Sequence, residues 1–292
     1  MLSVITLVHN RNLLLHDFLC GWAQQQGECD VEILVVRAGG HEDPSETCAH
    51  FPELRVRVLE LNTDDAETIS YSAARNHGAS HARGQHLTFA DADTIPCPDF
   101  AALMHQALDR HDAALTAEIR YLPPGVRYHG DFDAISAQAL PHPARPDAPM
   151  VDIELSLPHE LLWGLSISLR RSTFTQVGGF DERYGGYAGE DTDLAVALRA
   201  LGRPAGVVGG TTVLHQHHDS WEPPLHQFAA TVANAQLFRS KWGEWPMQGW
   251  LEQFEDLGLI DRTPQSLRIL REPTPDEIDR HRMTAAAPFR TS

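Results

Sequence analysis

What most constrains this chain is an alternation of short β-branched runs and helix-like segments, with polar residues following several of the runs at once. Apolar runs at 4–8 and 32–36 flank a helical stretch over 13–26. A third run lies at 56–61, a helix is predicted over 68–81, and a fourth run at 85–90. A helix over 100–109 and a fifth run at 113–121 complete the series. This order predicts an α/β domain with a mainly parallel central sheet and helices on both faces. Such sheets bind ligands beyond the carboxyl ends of their strands, so polar motifs just after the runs carry the chemistry to look for.

From 122 to 158 the pattern dissolves into Pro, His, Asp and Ala, which reads as one long loop of the kind used as a lid or binding loop. A strand is expected over 161–170, a helix over 191–201 closed by Gly202, and a strand over 207–214. Pro223 and Pro224 open a helix that runs to Trp242. After Glu272 the chain turns polar, with Pro273 and Pro275, and is expected to fray. These features divide the 292 residues into a main domain over 1–221, a helical extension over 222–271 and a tail over 272–292.

Charge narrows the partners. A formal net charge of −17 excludes a nucleic-acid binder that relies on a basic surface. It is also awkward for an anionic nucleotide, unless a bound cation reverses the local field. Apolar runs fall well short of the ~20 residues a membrane span needs. The strand beginning near Ser3 leaves no secretion-signal pattern. Cys20, Cys29, Cys48 and Cys97 are irregularly spaced, which suits reduced thiols and a cytoplasmic location.

Three clusters follow strands. In Leu87-Thr88-Phe89-Ala90-Asp91-Ala92-Asp93, alternation places the two carboxylates on one side of an extended chain. Two hard oxygens there suit Mg²⁺ or Mn²⁺ shared with a diphosphate, although D-x-D in a loop is often a solvated turn. A Gly- and Tyr-rich loop over 184–189 runs into Glu190, Asp191 and Asp193 at a helix start. Acids at such a position complement the helix dipole, which accounts for one or two of them. A remaining carboxylate suits a general base for an acceptor hydroxyl. In Leu214-His215-Gln216-His217-His218-Asp219, His215 leaves the strand first and is the expected ligand, with His217 and His218 as alternatives.

Taken in order, these motifs resemble those of the family-2 type of GT-A glycosyltransferase. Ala74-Arg75-Asn76-His77-Gly78 followed by Asp91-Ala92-Asp93 is similar to that family's helix and D-x-D strand. Trp163-Gly164, then Gly178-Gly179-Phe180-Asp181-Glu182 and Gly189-Glu190-Asp191-Thr192-Asp193, resembles the carboxyl-terminal motif of galactosyltransferases. The resemblance spans about residues 1–220. It implies a Rossmann-like GT-A sandwich and an inverting, metal-dependent transfer from a nucleotide-sugar to an acceptor hydroxyl, with the donor a UDP-sugar first and a GDP-sugar second. It further implies that Asp91, Asp93 and His215 hold Mn²⁺ or Mg²⁺, with Asp91 also touching the nucleotide. By the same carry-over, Asp191 is the base and Glu190 binds donor or acceptor. Val8, His9, Asn10 and Arg11 cradle the nucleoside, Arg75 faces it, and Trp163 and Gly164 line the sugar pocket.

One departure stands out. Val36-Arg37-Ala38-Gly39-Gly40-His41-Glu42-Asp43 occupies the place of the family's Asp-rich, base-reading turn. Uridine is therefore not specified, and Arg37 is either a nucleotide contact or a solvated side chain. Two other classes stay open on the residues alone. His215-Gln216-His217-His218-Asp219 begins like a metallo-β-lactamase signature, but Ser220 stands where a further His belongs. A noncatalytic sugar-nucleotide binder would keep the fold without the transfer. A nucleotidyltransferase is weaker, because His9-Asn10-Arg11-Asn12 is no phosphate loop.

Overall fold

The structure is a computed structural model describing residues 1–61, 69–145, 148–149 and 152–283. Its centre is β1 (Leu2–Val8), buried along its whole length because strands flank it on both edges. There follow α1 (Asn12–Ala23), β2 (Val31–Arg37), α2 (Pro44–Cys48), β3 (Val56–Glu60), α3 (Tyr71–His81) and β4 (His86–Phe89). Next come β5 (Thr94–Pro96), α4 (Phe100–Arg110), β6 (Ala114–Tyr121), α5 (Phe132–Ser136), β7 (Leu140–Pro141) and β8 (Ile153–Glu154). The chain continues through β9 (Ile167–Arg170), α6 (Arg171–Val177), α7 (Glu190–Ala200) and β10 (Ala205–His215). It ends in α8 (Phe228–Trp242), α9 (Gln248–Asp256), β11 (Ile260–Arg262), β12 (Leu267–Ile269) and α10 (Pro275–Arg280).

The main sheet runs β3-β2-β1-β4-β9-β6-β10-β5. The first four strands pair in parallel, as do β6 and β10, while β9 lies antiparallel between the two groups. The long strands thus point one way, and their carboxyl ends share one edge. Apolar clusters fill both faces. One packs α1 and α4 through Phe18, Trp22, Phe100 and Met104; the other packs α3, α6 and α7 through Ala74, Phe174 and Leu194. On the second face, α3 sits so close to β1 that a Cβ at Gly78 would lie 2.4 Å from Ile5 Cγ2. The glycine of the helix motif is thus a packing requirement.

The α/β reading holds, with local differences. The expected strand over 161–170 is a strand only from Ile167; its first half makes a 3₁₀ turn (His159–Leu161) and then an irregular segment. Gly164 sets that path, because it passes hard against the Arg75 side chain. The presumed long loop carries α5, β7 and β8, the last two as two-residue strands on the sheet. Past Glu272 the chain forms α10 rather than fraying, because Thr274 and Glu277 make a capping box. Thr68, the expected start of the third-strand helix, lies outside the described residues, as do 284–292 of the expected tail. Among the described residues no helix is long and apolar enough to cross a membrane.

The segment after β10 is tied to the main sheet domain by a polar clasp. Asp193 is buried on α7 and accepts from Tyr184 Oη (3.0 Å), Lys241 Nζ (2.8 Å) and Trp242 Nε1 (2.6 Å). One of the three acids at the start of α7 is therefore structural, and it fixes α8 across α7.

Replacing Gly78 by Ala is expected to cost about 1–3 kcal/mol through overpacking against Ile5 and Val36. Equilibrium urea unfolding checks this; an unchanged midpoint would show that α3 can shift without cost.

Candidate active site

Strand β5 turns two distant motifs into one site. After β4 the chain makes a tight turn, in which Thr94 bonds Asp91 O through both its N–H and its hydroxyl (3.1 and 2.7 Å). β5 then pairs antiparallel with the end of β10, setting Thr94 opposite His215. One residue further, Gln216 N–H donates to Asp93 O at 2.7 Å. Backbone register alone thus brings the D-x-D turn against the His-rich strand end.

Around Asp93 the side chains converge. His215 Nε2 lies 3.6 Å from Oδ1, His218 Nε2 lies 3.2 Å from Oδ2, and Arg11 Nη1 donates to Oδ2 at 2.6 Å. Ligand atoms of Asp93, His215 and His218 all fall within 4.8 Å of one another. Burial would raise the Asp93 pKa, but His215, His218 and Arg11 hold it well below the usual carboxylate range. Burial pushes His215 down to about 4, so its imidazole is neutral and offers a lone pair. Burial also disfavours the charged form of His218, yet its bond to Asp93 raises its pKa overall. Asp93 Oδ1 is closed off from water without a hydrogen-bond donor. One carboxylate and two imidazoles around such an orphaned oxygen fit Mn²⁺ or a similar divalent ion.

Asp91 faces the other way. Its Oδ1 accepts from Arg75 Nη2 at 3.0 Å, and Arg75 Nη1 donates to Glu190 Oε1 at 2.7 Å. The guanidinium is almost wholly buried, with Phe180 and Tyr71 rings 5.3 and 5.6 Å away. Burial opposes its charge, but Asp91 and Glu190 outweigh it and hold Arg75 above its ordinary pKa. Asp91 is pushed up to about 6, by burial and by Asp93, against the pull of Arg75. Glu190 is pushed up to about 7, by burial and by Asp191, again against Arg75. Asp191 borders the same cleft: Gly164 N–H donates to its Oδ2 at 3.1 Å, and Thr192 N–H to its Oδ1 at 2.7 Å. A Cβ at Gly164 would meet Arg75 Nη2 at 2.5 Å, so only glycine lets this backbone reach Asp191.

The expected nucleoside cradle closes one end. Val8 ends β1 in the core, and His9 Nδ1 bonds Ala38 O at 2.9 Å. Asn10 adopts a left-handed backbone, and its Oδ1 accepts from His41 and Glu42 N–H at 2.7 and 3.1 Å. It stitches together the two turns that follow β1 and β2. Arg37 donates to Gly40 O and pairs with Glu60, so it braces the turn that replaces the Asp-rich one. Trp163 donates its indole N–H to Glu160 O, and its ring stands edge-on to His142 at 5.0 Å.

The sequence reading groups Asp91, Asp93 and His215, with His217 and His218 as alternatives; the structure gathers Asp93, His215 and His218, and turns Asp91 to Arg75. The three-residue step from His215 to His218 returns the second imidazole to Asp93, with the two rings 5.2 Å apart. Arg145 was missed because nothing in a Pro- and Ala-rich stretch marks it, and Tyr121 was read only as the end of a strand. A second group, His86, His105 and Asp109, gathers at the other end of β4. There the Nδ1 atoms of His86 and His105 share a 2.7 Å hydrogen bond, too short for two ligands of one ion, and the group pins α4 to the sheet.

A sheet of this order with carboxylates and imidazoles at its carboxyl edge defines the GT-A glycosyltransferase fold. The comparisons agree. The chain is similar to S. aureus TarS 1-349 solved with UDP-GlcNAc (TM-score 0.60, 15% identity, 80% of this chain, 65% of that one). It is similar also to GalNAc-T7 solved with UDP, GalNAc and Mn²⁺ (TM-score 0.58, 15% identity, 75% of this chain, 44% of that one). The sequence model "Glycosyl transferase family 2" matches residues 3–141, and "N-terminal domain of galactosyltransferase" matches residues 145–217. The first model covers just under half of the chain, and the two together run from residue 3 to residue 217, which makes the chain similar to family-2 glycosyltransferases. A validoxylamine A glucosyltransferase of Streptomyces hygroscopicus subsp. limoneus is 28% identical over 232 residues, which cover 70% of this chain and 49% of that protein. The chain thus spans about half the length of that curated relative.

Because Glu190 binds its proton more tightly folded than unfolded, it contributes stability at low pH that is lost as pH rises from 4.5 towards about 7. Unfolding in urea with a chelator at pH 5 and pH 8 should show a steeper loss in the wild type than in Glu190→Gln. Equal slopes would mean that Glu190 is ionised throughout.

Proposed function

We propose that this protein is a metal-dependent inverting glycosyltransferase that moves a sugar from a nucleotide diphosphate, a UDP-sugar first, to an acceptor hydroxyl. The observation that carries the reading is the cluster of Asp93, His215 and His218, next to which Asp91 and Arg75 pack on the Gly164 backbone that holds Asp191. Asp93, His215 and His218 would hold Mn²⁺ or Mg²⁺, with Asp91 beside them. Such an ion supplies Lewis-acid stabilisation of the diphosphate as it departs.

The chain's own residues account for the rest. Asp191 takes the proton of the acceptor hydroxyl, whose oxygen attacks the anomeric carbon. The bond from that carbon to the diphosphate oxygen breaks on the opposite face, and the electron pair leaves with the nucleotide. The Gly164 and Thr192 N–H groups hold the Asp191 carboxylate in one orientation. Arg75, clamped between Asp91 and Glu190, fixes both acids without spending a charge on the ligand. Arg11 is only half-buried and sits on Asp93, so it can release the carboxylate and turn to the phosphates.

The metallohydrolase reading is less well supported. It requires His217 and Asp219, but Asp219 pairs with Arg282 and His217 stands outside the cluster. The validoxylamine A glucosyltransferase to which the chain is similar is likewise a transferase.

Asp191→Asn should retain nucleotide-sugar binding and lose roughly 10²–10⁴-fold in transfer rate. Radiolabelled donor turnover with a thermal-shift control for binding makes the comparison; normal turnover would assign the base elsewhere. His218→Ala should raise the Mn²⁺ concentration for half-activation by at least about tenfold. If Mn²⁺ titrations of the two proteins superimpose, His218 is no ligand.

A further inference from the structure

Arginines in this protein mostly have acidic partners. Arg11 has Asp93, Arg75 has Asp91 and Glu190, and Arg127 has Asp17. Arg145 does not. Its Nη2 donates to Leu161 O at 2.8 Å, and its guanidinium carbon lies 4.4 Å over the Trp163 ring. Its Nε is closed off from water and bonds nothing. Among the described residues no carboxylate comes within ion-pair distance of it. Burial pushes its pKa down to about 10, against the weak pull of Tyr121 and Asp191. Among the described residues this shielded cation rests on a carbonyl and an indole face, an arrangement costly to keep.

The position says what would repay that cost. Trp163, under the guanidinium, directly precedes Gly164, whose N–H holds Asp191. On the other side, His142 touches both Trp163 and Tyr121, and the Tyr121 ring lies 5.0 Å from His215. Arg145 therefore stands between the ion cluster and the base, where a donor's leaving diphosphate and its sugar must lie. Resting on the transferase reading above, we propose that Arg145 binds an oxyanion that the donor carries beyond its α-phosphate. That oxyanion is the β-phosphate or a carboxylate on the transferred sugar. A guanidinium fork suits either, and the indole holds it flat against the cleft wall.

The test uses the full chain with Mn²⁺ and compares wild type with Arg145→Met by calorimetric titration. UDP and UMP are the probes, with GDP and GMP alongside. Against the β-phosphate, the variant weakens the diphosphate roughly 10–100-fold and leaves the monophosphate within about twofold. Against a sugar carboxylate, UDP is unaffected, and UDP-glucuronate loses affinity where UDP-glucose does not. The unliganded variant should melt at or above the wild-type temperature, since an uncompensated cation has been removed. Equal affinities of the two proteins for UDP and for UDP-glucuronate overturn the proposal, as does an equal loss for UDP and UMP, which marks a structural role. If the wild type binds neither diphosphate, the transferase reading itself falls first.

Discussion

One backbone contact organises the site: the N–H of Gln216 on the carbonyl of Asp93, extending the antiparallel pairing of β5 with β10. Asp93 and His215 are more than a hundred residues apart in sequence, and neither strand could place them alone. The D-x-D turn must reverse after β4 and cross to the far side of β6 and β9 to reach β10. The turn is therefore built tightly, with the Asp91 carbonyl taking two bonds from Thr94. Because β5 is buried and α1 packs on it, with Gly21 against Ile95 and Pro96, the cluster rests on the core and not on a loose loop. A site positioned in that way keeps its geometry whether or not a ligand is bound.

The second organising element is Arg75. Its guanidinium lies among Phe180, Tyr71 and the Gly164 backbone, and it would be prohibitive there without Asp91 and Glu190. Three segments far apart in the chain, α3, the D-x-D turn and the start of α7, are thereby locked by one cation. This division of labour explains why the acids at the start of α7 have different roles. Glu190 answers Arg75, Asp193 answers Lys241 and Trp242, and Asp191 is held by the Gly164 and Thr192 N–H groups and the Thr192 hydroxyl, with no cation on it among the described residues. The sequence reading makes Asp191 the base and Glu190 a donor or acceptor contact; the helix period turns the three acids onto different sides.

The sequence was most informative where hydrophobic periodicity was long. β1, β2, β6 and β10 emerged from their apolar runs, and the carboxyl edge of the sheet followed from their alternation with helices. What stayed hidden was short or set by tertiary contact. β5 is three residues, too few to show a period, yet it joins the two halves of the site. β9 was visible as a strand but not as the antiparallel insertion between β4 and β6. Its predicted start was early because Trp163 and Gly164 look extended in sequence, while packing against Arg75 bends them. Around Asp93, His215 could be picked out as the first residue off a strand, whereas the approach of His218 depends on the turn after the strand. The capping box Thr274–Glu277 was readable in principle, but the prolines around it outweighed it.

The overall charge of −17 now has a local counterpart. Asp91, Asp93, Glu190 and Asp191 crowd the carboxyl edge of the sheet, while Arg75, Arg11, His218 and Arg145 are interleaved with them. Arg75 is committed to internal pairing, so it adds little field for an anion. Arg11 and His218 are both spent on the same Asp93 oxygen. On the proposed function, Asp93, His215 and His218 would hold a divalent ion, with the half-exposed Arg11 beside it. The charge of such an ion, together with Arg11 and Arg145, would give a diphosphate a cationic path inside an acidic protein.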